Sequence, residues 1–265
     1  MVYNEAMDSA DNASGALGKK IFFLYPTAVV QNRIIVELAQ QEYETYIAKD
    51  KDTLRRVLKK YPDSIVFVDI NEGQPEKEWD AWVSGVMNAP ETRDIAIGIV
   101  TANDDELIKR KYLILLKVPC GYTVLKFDLD KAITHIIDIL QGANAKGRRK
   151  YLRAITGSEA NATLNLPLNG MFVNGHIKDI SVVGFSCVLE GNPDIAKNTL
   201  LKNIQVKLQS SLLKTEGIVI GSRMDDKEKA YVFLFTQRID PEVRTKIRKY
   251  IQHNLQTKMD AELKH

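Results

Sequence analysis

The sequence predicts an α/β domain built on a doubly wound parallel sheet, followed by a smaller antiparallel β-barrel with a closing C-terminal helix. Three observations predict it. Strand-like and helix-like patterns alternate five times over residues 20–141, as they do in a parallel sheet covered by helices on both faces. Beyond residue 150 the apolar residues occur in short alternating runs, the pattern of half-buried antiparallel strands. Between the two lies GANAKGRRK (142–150), where small residues and charge replace periodicity, as in a linker.

Taken in order, KIFFLYPTAVV (20–30) is an apolar run that reads as a buried strand. In NRIIVELAQQEYE, Ile34, Ile35, Leu38 and Ala39 recur at helical spacing. TYIA is a second short strand. DKDTLRRVLKKYP predicts a helix capped by Asp50 or Asp52, with Leu54, Val57 and Leu58 inward and Pro62 past its end. SIVFVDI (64–70) is a continuous, β-branched run, expected where a strand is buried on both faces. Trp79, Trp82, Val83, Val86 and Met87 mark an irregular helix. IAIGIV (95–100) is a strand, DELIKRKYLILLK a helix, YTVLKF (122–127) a strand and DKAITHIIDILQ an amphipathic helix.

In the second half FSCVLEG sets Phe185, Cys187 and Leu189 on one face and Ser186 and Glu190 on the other. NIQVKLQSSLL alternates too. EGIVIGSRMDDKEKAYVFLFTQ reads as two strands joined by a polar turn at MDDKEK. The last helix is IDPEVRTKIRKYIQHNLQ, with Asp240 as cap, Pro241 at the first helical position and Val243, Ile247, Ile251 and Leu255 on one face.

Composition narrows the function. A chain of 265 residues suits two domains. Its net charge of +3 is too small for wholesale nucleic-acid binding, so a polyanion site has to come from local clustering. Cys120 and Cys187 lie in apolar surroundings with no CxxC spacing, and read as buried thiols. Residues 1–18 hold no basic residue and no apolar core, which argues against a signal peptide and predicts a disordered tail. No apolar run approaches the ~20 residues of a membrane span, so a cytoplasmic protein is expected. His135, His176, His253 and His265 are scattered, without a nucleophile–base pair or a metal set. No catalytic residue, metal or cofactor is therefore predicted, and the chain is not expected to be an enzyme.

Two segments carry chemistry. In KGRRKYLRAITG (146–157), Arg149 and Arg153 stand four apart and project to one side of a turn or helix start. A guanidinium meets phosphate oxygens two at a time and stacks on purine faces. In DISVVG (179–184), Asp179 can accept hydrogen bonds from a guanine edge or from an arginine, Ser181 offers a hydroxyl donor to phosphate, and Gly184 allows a backbone geometry or a close ligand approach that a side chain would block. Each segment alone is common in basic linkers and at strand ends. In this order, ahead of a small barrel, they resemble the PilZ domain family, receptors for the bacterial second messenger cyclic di-GMP.

The resemblance covers residues 148–265 and includes the helix that closes the barrel. It implies that Arg149, Arg153, Asp179, Ser181 and Gly184 hold cyclic di-GMP. Arg148, just before the first motif arginine, implies two stacked ligand molecules per domain. It further implies a signalling adaptor in which the ligand orders the linker onto the barrel, changes domain orientation and signals to a protein partner, in processes such as motility or biofilm control.

Residues 19–141 resemble the receiver domain of response regulators. Asp69, Thr101 and Lys126 end the third, fourth and fifth strands, where the phospho-acceptor, hydroxyl and ammonium of a receiver would stand. Phosphoryl transfer to an aspartate also needs Mg²⁺ held by carboxylates. After the first strand this chain has LYPT, with Tyr25 and Pro26 and no acid, and Phe127 replaces the usual proline. A pseudo-receiver serving as an interaction module is expected. Two alternatives stand beside the adaptor: a phosphorylation-dependent regulator with the barrel as output, and a nucleic-acid-binding barrel. The second has few aromatics arranged for base stacking.

Overall fold

The computed structural model describes residues 18–156, 162–225, 228–236 and 239–264. The expected tail up to residue 17, and residues 226–227 of the expected MDDKEK turn, lie outside the described residues. The chain divides into two compact units, one formed by residues through Lys150 together with Met259 onward, the other by Tyr151–Lys258.

The first unit is a five-stranded sheet with helices. Its elements are β1 (Ile21–Leu24), α1 (Val30–Ile35, continued as Val36–Gln40), β2 (Thr45–Ala48), α2 (Lys51–Lys60), β3 (Ile65–Asp69), α3 (Glu76–Asn88), β4 (Ala96–Thr101), α4 (Glu106–Arg110, continued as a π-helical turn Lys111–Leu115), β5 (Tyr122–Val124) and α5 (Leu129–Gly142). All strand pairings are parallel and the order is β2-β1-β3-β4-β5. That is the flavodoxin-like doubly wound order, in which chemistry gathers at the carboxyl ends of β1 and β3, where the winding reverses. β1 and β3 are buried throughout, as their unbroken apolar runs require. Of the two capping candidates, Asp50 caps α2, accepting from the Thr53 N–H at 2.6 Å.

The first strand is shorter than its apolar run. It stops at Leu24 because Tyr25 takes a left-handed backbone conformation, φ 50°, and Pro26 has no N–H to give to a ladder. Val29 and Val30, in the same run, enter α1 instead.

The second unit is a closed barrel. Its strands are β6 (Ala154–Ile155), β7 (Ala162–Leu168), β8 (Met171–Ser181), β9 (Gly184–Leu189), β10 (Leu200–Leu208), β11 (Ser211–Asp225) and β12 (Glu228–Phe235). Six antiparallel strands run β8-β7-β10-β11-β12-β9, and β9 pairs back to β8 to close the ring. β6 adds to the outside of β8. Leu164, Leu166, Ile177, Phe185, Cys187 and Phe233 fill the interior, with Phe185 and Phe233 stacked at 4.9 Å. α6 (Pro241–Leu263), which belongs to this unit through Lys258, starts at Asp240, which accepts from the Glu242 N–H at 2.7 Å, and buries Ile247 and Ile251. The β7–β8 hairpin was not predicted. Its signal is the Asn169-Gly170 pair, both at positive φ, as a two-residue hairpin turn demands.

Candidate functional sites

On the barrel, the site is built around Asp179. It sits in β8 between Ile155 of β6 and Ser186 of β9, just past a register shift between Ile177 and Asp179. Such irregularities re-aim side chains. Arg153 is the residue before β6, so the position of β6 decides where Arg153 goes. β6 is held in three ways. The Thr156 N–H donates to the Lys178 carbonyl at 2.8 Å, the Thr156 hydroxyl donates to the Ile177 carbonyl, and the Lys258 ammonium on α6 donates to the Ile155 carbonyl at 2.5 Å. The Arg153 Nη1 then stands 3.7 Å from the Asp179 Oδ1. The other carboxylate oxygen accepts from the Ser186 hydroxyl.

Ser181 and Gly184 are occupied by the fold. The buried Ser181 hydroxyl donates to the Gly184 carbonyl at 3.2 Å and accepts from the Val183 N–H at 3.3 Å, holding the β8–β9 turn. A Cβ on Gly184 would lie 2.1 Å from the Phe233 carbonyl oxygen, so the close approach that requires glycine here is that of β12. Sequence reasoning passed over Ser186. It lies seven residues beyond Asp179, and only the pairing of β8 with β9 puts it opposite.

Arg148 and Arg149 belong to the first unit, and Arg153, Asp179, Ser181 and Gly184 to the second. The expected linker begins inside the first unit. α5 runs through Gly142, Ala145 is buried, and its carbonyl accepts from the Lys19 N–H at 2.8 Å. Gly18 permits this contact, since a Cβ there would be 2.6 Å from the Ala145 oxygen. The Lys146 ammonium lies 4.6 Å from the centre of the Tyr43 ring. Arg148 lines an open cleft of about 370 Å³ with Lys19, Lys146, Asp63 and Asn144; Arg149 is exposed.

At the carboxyl ends of the parallel strands, Asp69 is only 2% exposed. Its Oδ2 accepts from the Thr27 N–H at 3.1 Å and its Oδ1 from the Asn71 N–H at 3.3 Å. Burial pushes its carboxyl above the ordinary range, and these two backbone donors offset only part of that. Thr101 donates to the Asn71 side-chain oxygen at 2.7 Å, so Asn71 stands between Thr101 and Asp69. Lys126 does not join them. Its ammonium lies 5.6 Å from the Phe127 ring centre, and among the described residues no ion pair links it to Asp69. Tyr25 turns its ring over Gly73, where a Cβ would come within 2.7 Å of it, and meets Trp79 edge-on at 5.9 Å. The turn after β1 thus closes on Asp69 through the Thr27 N–H.

Among the described residues no group of His, Cys, Asp and Glu side chains is arranged to hold a metal ion, and no helix is long and apolar enough to cross a membrane. Both thiols are buried; burial raises Cys120 to about 11 and raises Cys187 further, with the Asp179 charge adding to it.

No curated protein matches the chain. Among solved structures, the PilZ domain of YcgR from Escherichia coli with c-di-GMP is similar at 18% identity over 44% of this chain and 96% of that one, TM-score 0.36. The K. pneumoniae MrkH–c-di-GMP complex is similar at 22% identity over 46% of this chain and 57% of that one, TM-score 0.37. A signal receiver domain from Clostridium thermocellum is similar at 18% identity over 47% of this chain and 98% of that one, TM-score 0.39. Residues 147–253 match the PilZ domain family, and in sequence they follow a five-stranded parallel α/β domain.

Proposed function

We infer that the chain is a cyclic di-GMP receptor that acts as a signalling adaptor. The observation that carries this reading is the arrangement of Arg153, Asp179 and Ser186 on a PilZ barrel: a cation held beside a carboxylate, with neither buried. Side-chain exposures of 35% and 20% leave both within reach of a ligand. A phosphate is a better partner for a guanidinium than a carboxylate 3.7 Å away, because it can take two parallel hydrogen bonds. As Arg153 turns to phosphate, the Asp179 carboxylate is released to accept a guanine N1–H and N2–H₂ edge, while Ser186 keeps it oriented.

Arg149 supplies the second arm of the clamp and Arg148 stacks on a second ligand molecule. Because Ala145 is fixed to the first unit, the part of the linker that the ligand orders starts after it, in the run KGRRK. Neutralising that charge and drawing Arg149 to a phosphate changes the relation between the two domains, which is the signal passed to a protein partner. The receiver-like domain acts here as a binding module, with Asp69 enclosed.

Calorimetric titration of cyclic di-GMP into the full chain tests the reading. A micromolar site corresponds to about −8 kcal/mol. Binding that is lost in Arg149→Ala and in Arg153→Ala is expected, with a stoichiometry near two that falls toward one in Arg148→Ala. Absence of heat and of competition for a labelled ligand, in a chain that is folded by circular dichroism, would overturn it.

A further inference from the structure

A second concentration of charge lies at the amino end of the parallel sheet, the end away from Asp69. β1 and β3 pair with Ile21 opposite Ile65, and the Lys20 carbonyl accepts from the Ile65 N–H at 2.9 Å. This register brings Lys19 and Asp63, each two residues earlier, to one cleft. α5 delivers the other wall. It ends at Asn144, in a left-handed conformation with φ 49°. The Asn144 N–H donates to the Gln141 carbonyl at 3.0 Å and the Ala145 N–H to the Leu140 carbonyl at 2.9 Å, the bonding of a Schellman cap. The Lys19 N–H then takes the Ala145 carbonyl, which sets Lys146, Gly147 and Arg148 beside Gly18. A Cβ on Gly18 would stand 2.9 Å from the Gly147 nitrogen, so only glycine lets the two segments run this close. All of these residues belong to the first unit.

The cleft they line holds about 370 Å³, within the size range of small-ligand sites. Its charges do not balance. Lys19, Lys146 and Arg148 share it with a single carboxylate, Asp63, and among the described residues none of the four is in an ion pair. The Lys146 ammonium lies 4.6 Å from the centre of the Tyr43 ring, a contact that leaves its charge unneutralised. Cations often gather at a helix C-terminus to meet its last carbonyls. Here the Leu140 and Gln141 carbonyls are already bonded by the backbone cap. A concave surface walled by one sign of charge concentrates counter-ions. A phosphate monoester carries a charge of about −1.5 to −2 near neutral pH, which matches the excess; a phosphodiester group carries only one negative charge. Asp63 narrows the choice further. A carboxylate repels a bare anion but accepts hydrogen bonds from hydroxyl groups. It therefore fits a ligand that carries hydroxyls behind its phosphate.

We propose that this cleft binds a small phosphate monoester bearing hydroxyl groups, of the sugar-phosphate class. Lys19, Lys146 and Arg148 hold the phosphate, and Asp63 and Asn144 accept from the hydroxyls. The site is separate from the barrel site and from the carboxyl ends of the strands. Arg148 is also the residue assigned to a second cyclic di-GMP molecule, so the two ligands compete for it and each weakens the other. That competition rests on the cyclic di-GMP reading; the cleft itself does not.

Amide spectra of the ¹⁵N-labelled full chain, titrated with ribose 5-phosphate and separately with inorganic phosphate, test the site. Saturable shifts of Gly18, Lys19 and Gly147 are expected with both probes, with the ester binding several-fold more tightly. Lys19→Ala and Lys146→Ala should each weaken the ester by about tenfold, with unchanged circular dichroism. Asp63→Ala should act in opposite directions: inorganic phosphate binds more tightly and the ester loses its advantage. Shifts that do not saturate, or that ignore Lys19→Ala and Lys146→Ala, overturn the site, as do shifts confined to the Arg153 and Asp179 amides of the barrel. Inorganic phosphate that binds wild type as tightly as the ester overturns the assignment to an ester. With ribose 5-phosphate at saturation, the cyclic di-GMP stoichiometry should fall from two toward one. An unchanged stoichiometry of two overturns the sharing of Arg148, and a chain that binds the ester but no cyclic di-GMP overturns the receptor reading while leaving the cleft in place.

Discussion

Asp69 ends β3 of the α/β domain, and Asp179 lies two residues before the end of β8 of the barrel. Both carboxylates sit where their folds place chemistry, and both accept two contacts. The contacts differ in kind. Asp69 is buried and bound by two backbone N–H groups from adjacent loops, Thr27 and Asn71. Asp179 is partly exposed and bound by two side chains, Arg153 and Ser186. Backbone donors are fixed by the fold and cannot turn to another partner. A guanidinium on a part-exposed side chain can. The comparison teaches that an aspartate at a strand end becomes a structural staple or a ligand-handling group according to whether its partners are free to leave.

The comparison can be broken most severely at Gly184. Any Cβ there enters the Phe233 carbonyl, so Gly184→Ala should destabilise the barrel by at least ~3 kcal/mol, read as loss of the barrel transition in thermal or urea unfolding. Unchanged melting with lost ligand binding would mean instead that the glycine serves ligand approach.

Next in size is Arg153→Ala. Loss of a charge-assisted contact to phosphate should weaken cyclic di-GMP binding by roughly a hundredfold, or 2–3 kcal/mol. Its half-exposed pairing with Asp179 is worth less than about 1 kcal/mol to the fold, so the melting temperature should barely move. Asp69→Asn should do the opposite, leaving affinity unchanged and altering stability. A loss of affinity in Asp69→Asn would end the contrast between the two aspartates.

A subtler effect follows from the buried carboxyl. Its proton is held more tightly in the folded than in the unfolded chain. Its contribution to stability is therefore fully present below the ordinary carboxylate value of 3.8 and is lost as pH rises through the raised value. Over that window wild type should lose stability relative to Asp69→Asn as pH increases. A difference that is flat with pH would place the ionisation elsewhere.

The smallest expected effect is none. With Mg²⁺ and acetyl phosphate, intact mass should show no phosphoryl group on Asp69, because it is buried with the Thr27 N–H on its Oδ2 and Lys126 stands apart. Metal-dependent labelling that vanishes in Asp69→Asn would restore the phosphorylation-dependent reading.

The sequence by itself determined which segments become strands and helices, because the pattern that buries apolar residues has a period of 3.6 in one and 2 in the other. SIVFVDI had to be a doubly buried strand, and the caps at Asp50 and Asp240 act over two or three residues. It also supplied Arg153 and Asp179 to the proposed barrel site, and put Tyr25 and Pro26, with no acid, after the first strand. Only the tertiary structure decided what these residues face. That β6 adds to β8 and brings Arg153 to Asp179, that Ser186 arrives opposite, that Gly184 is pressed by β12, and that Asn71 stands between Thr101 and Asp69 all depend on pairing and packing between distant segments. A local pattern states that a face must be covered. It does not state by what, since partner and register are chosen by the closure of the whole sheet.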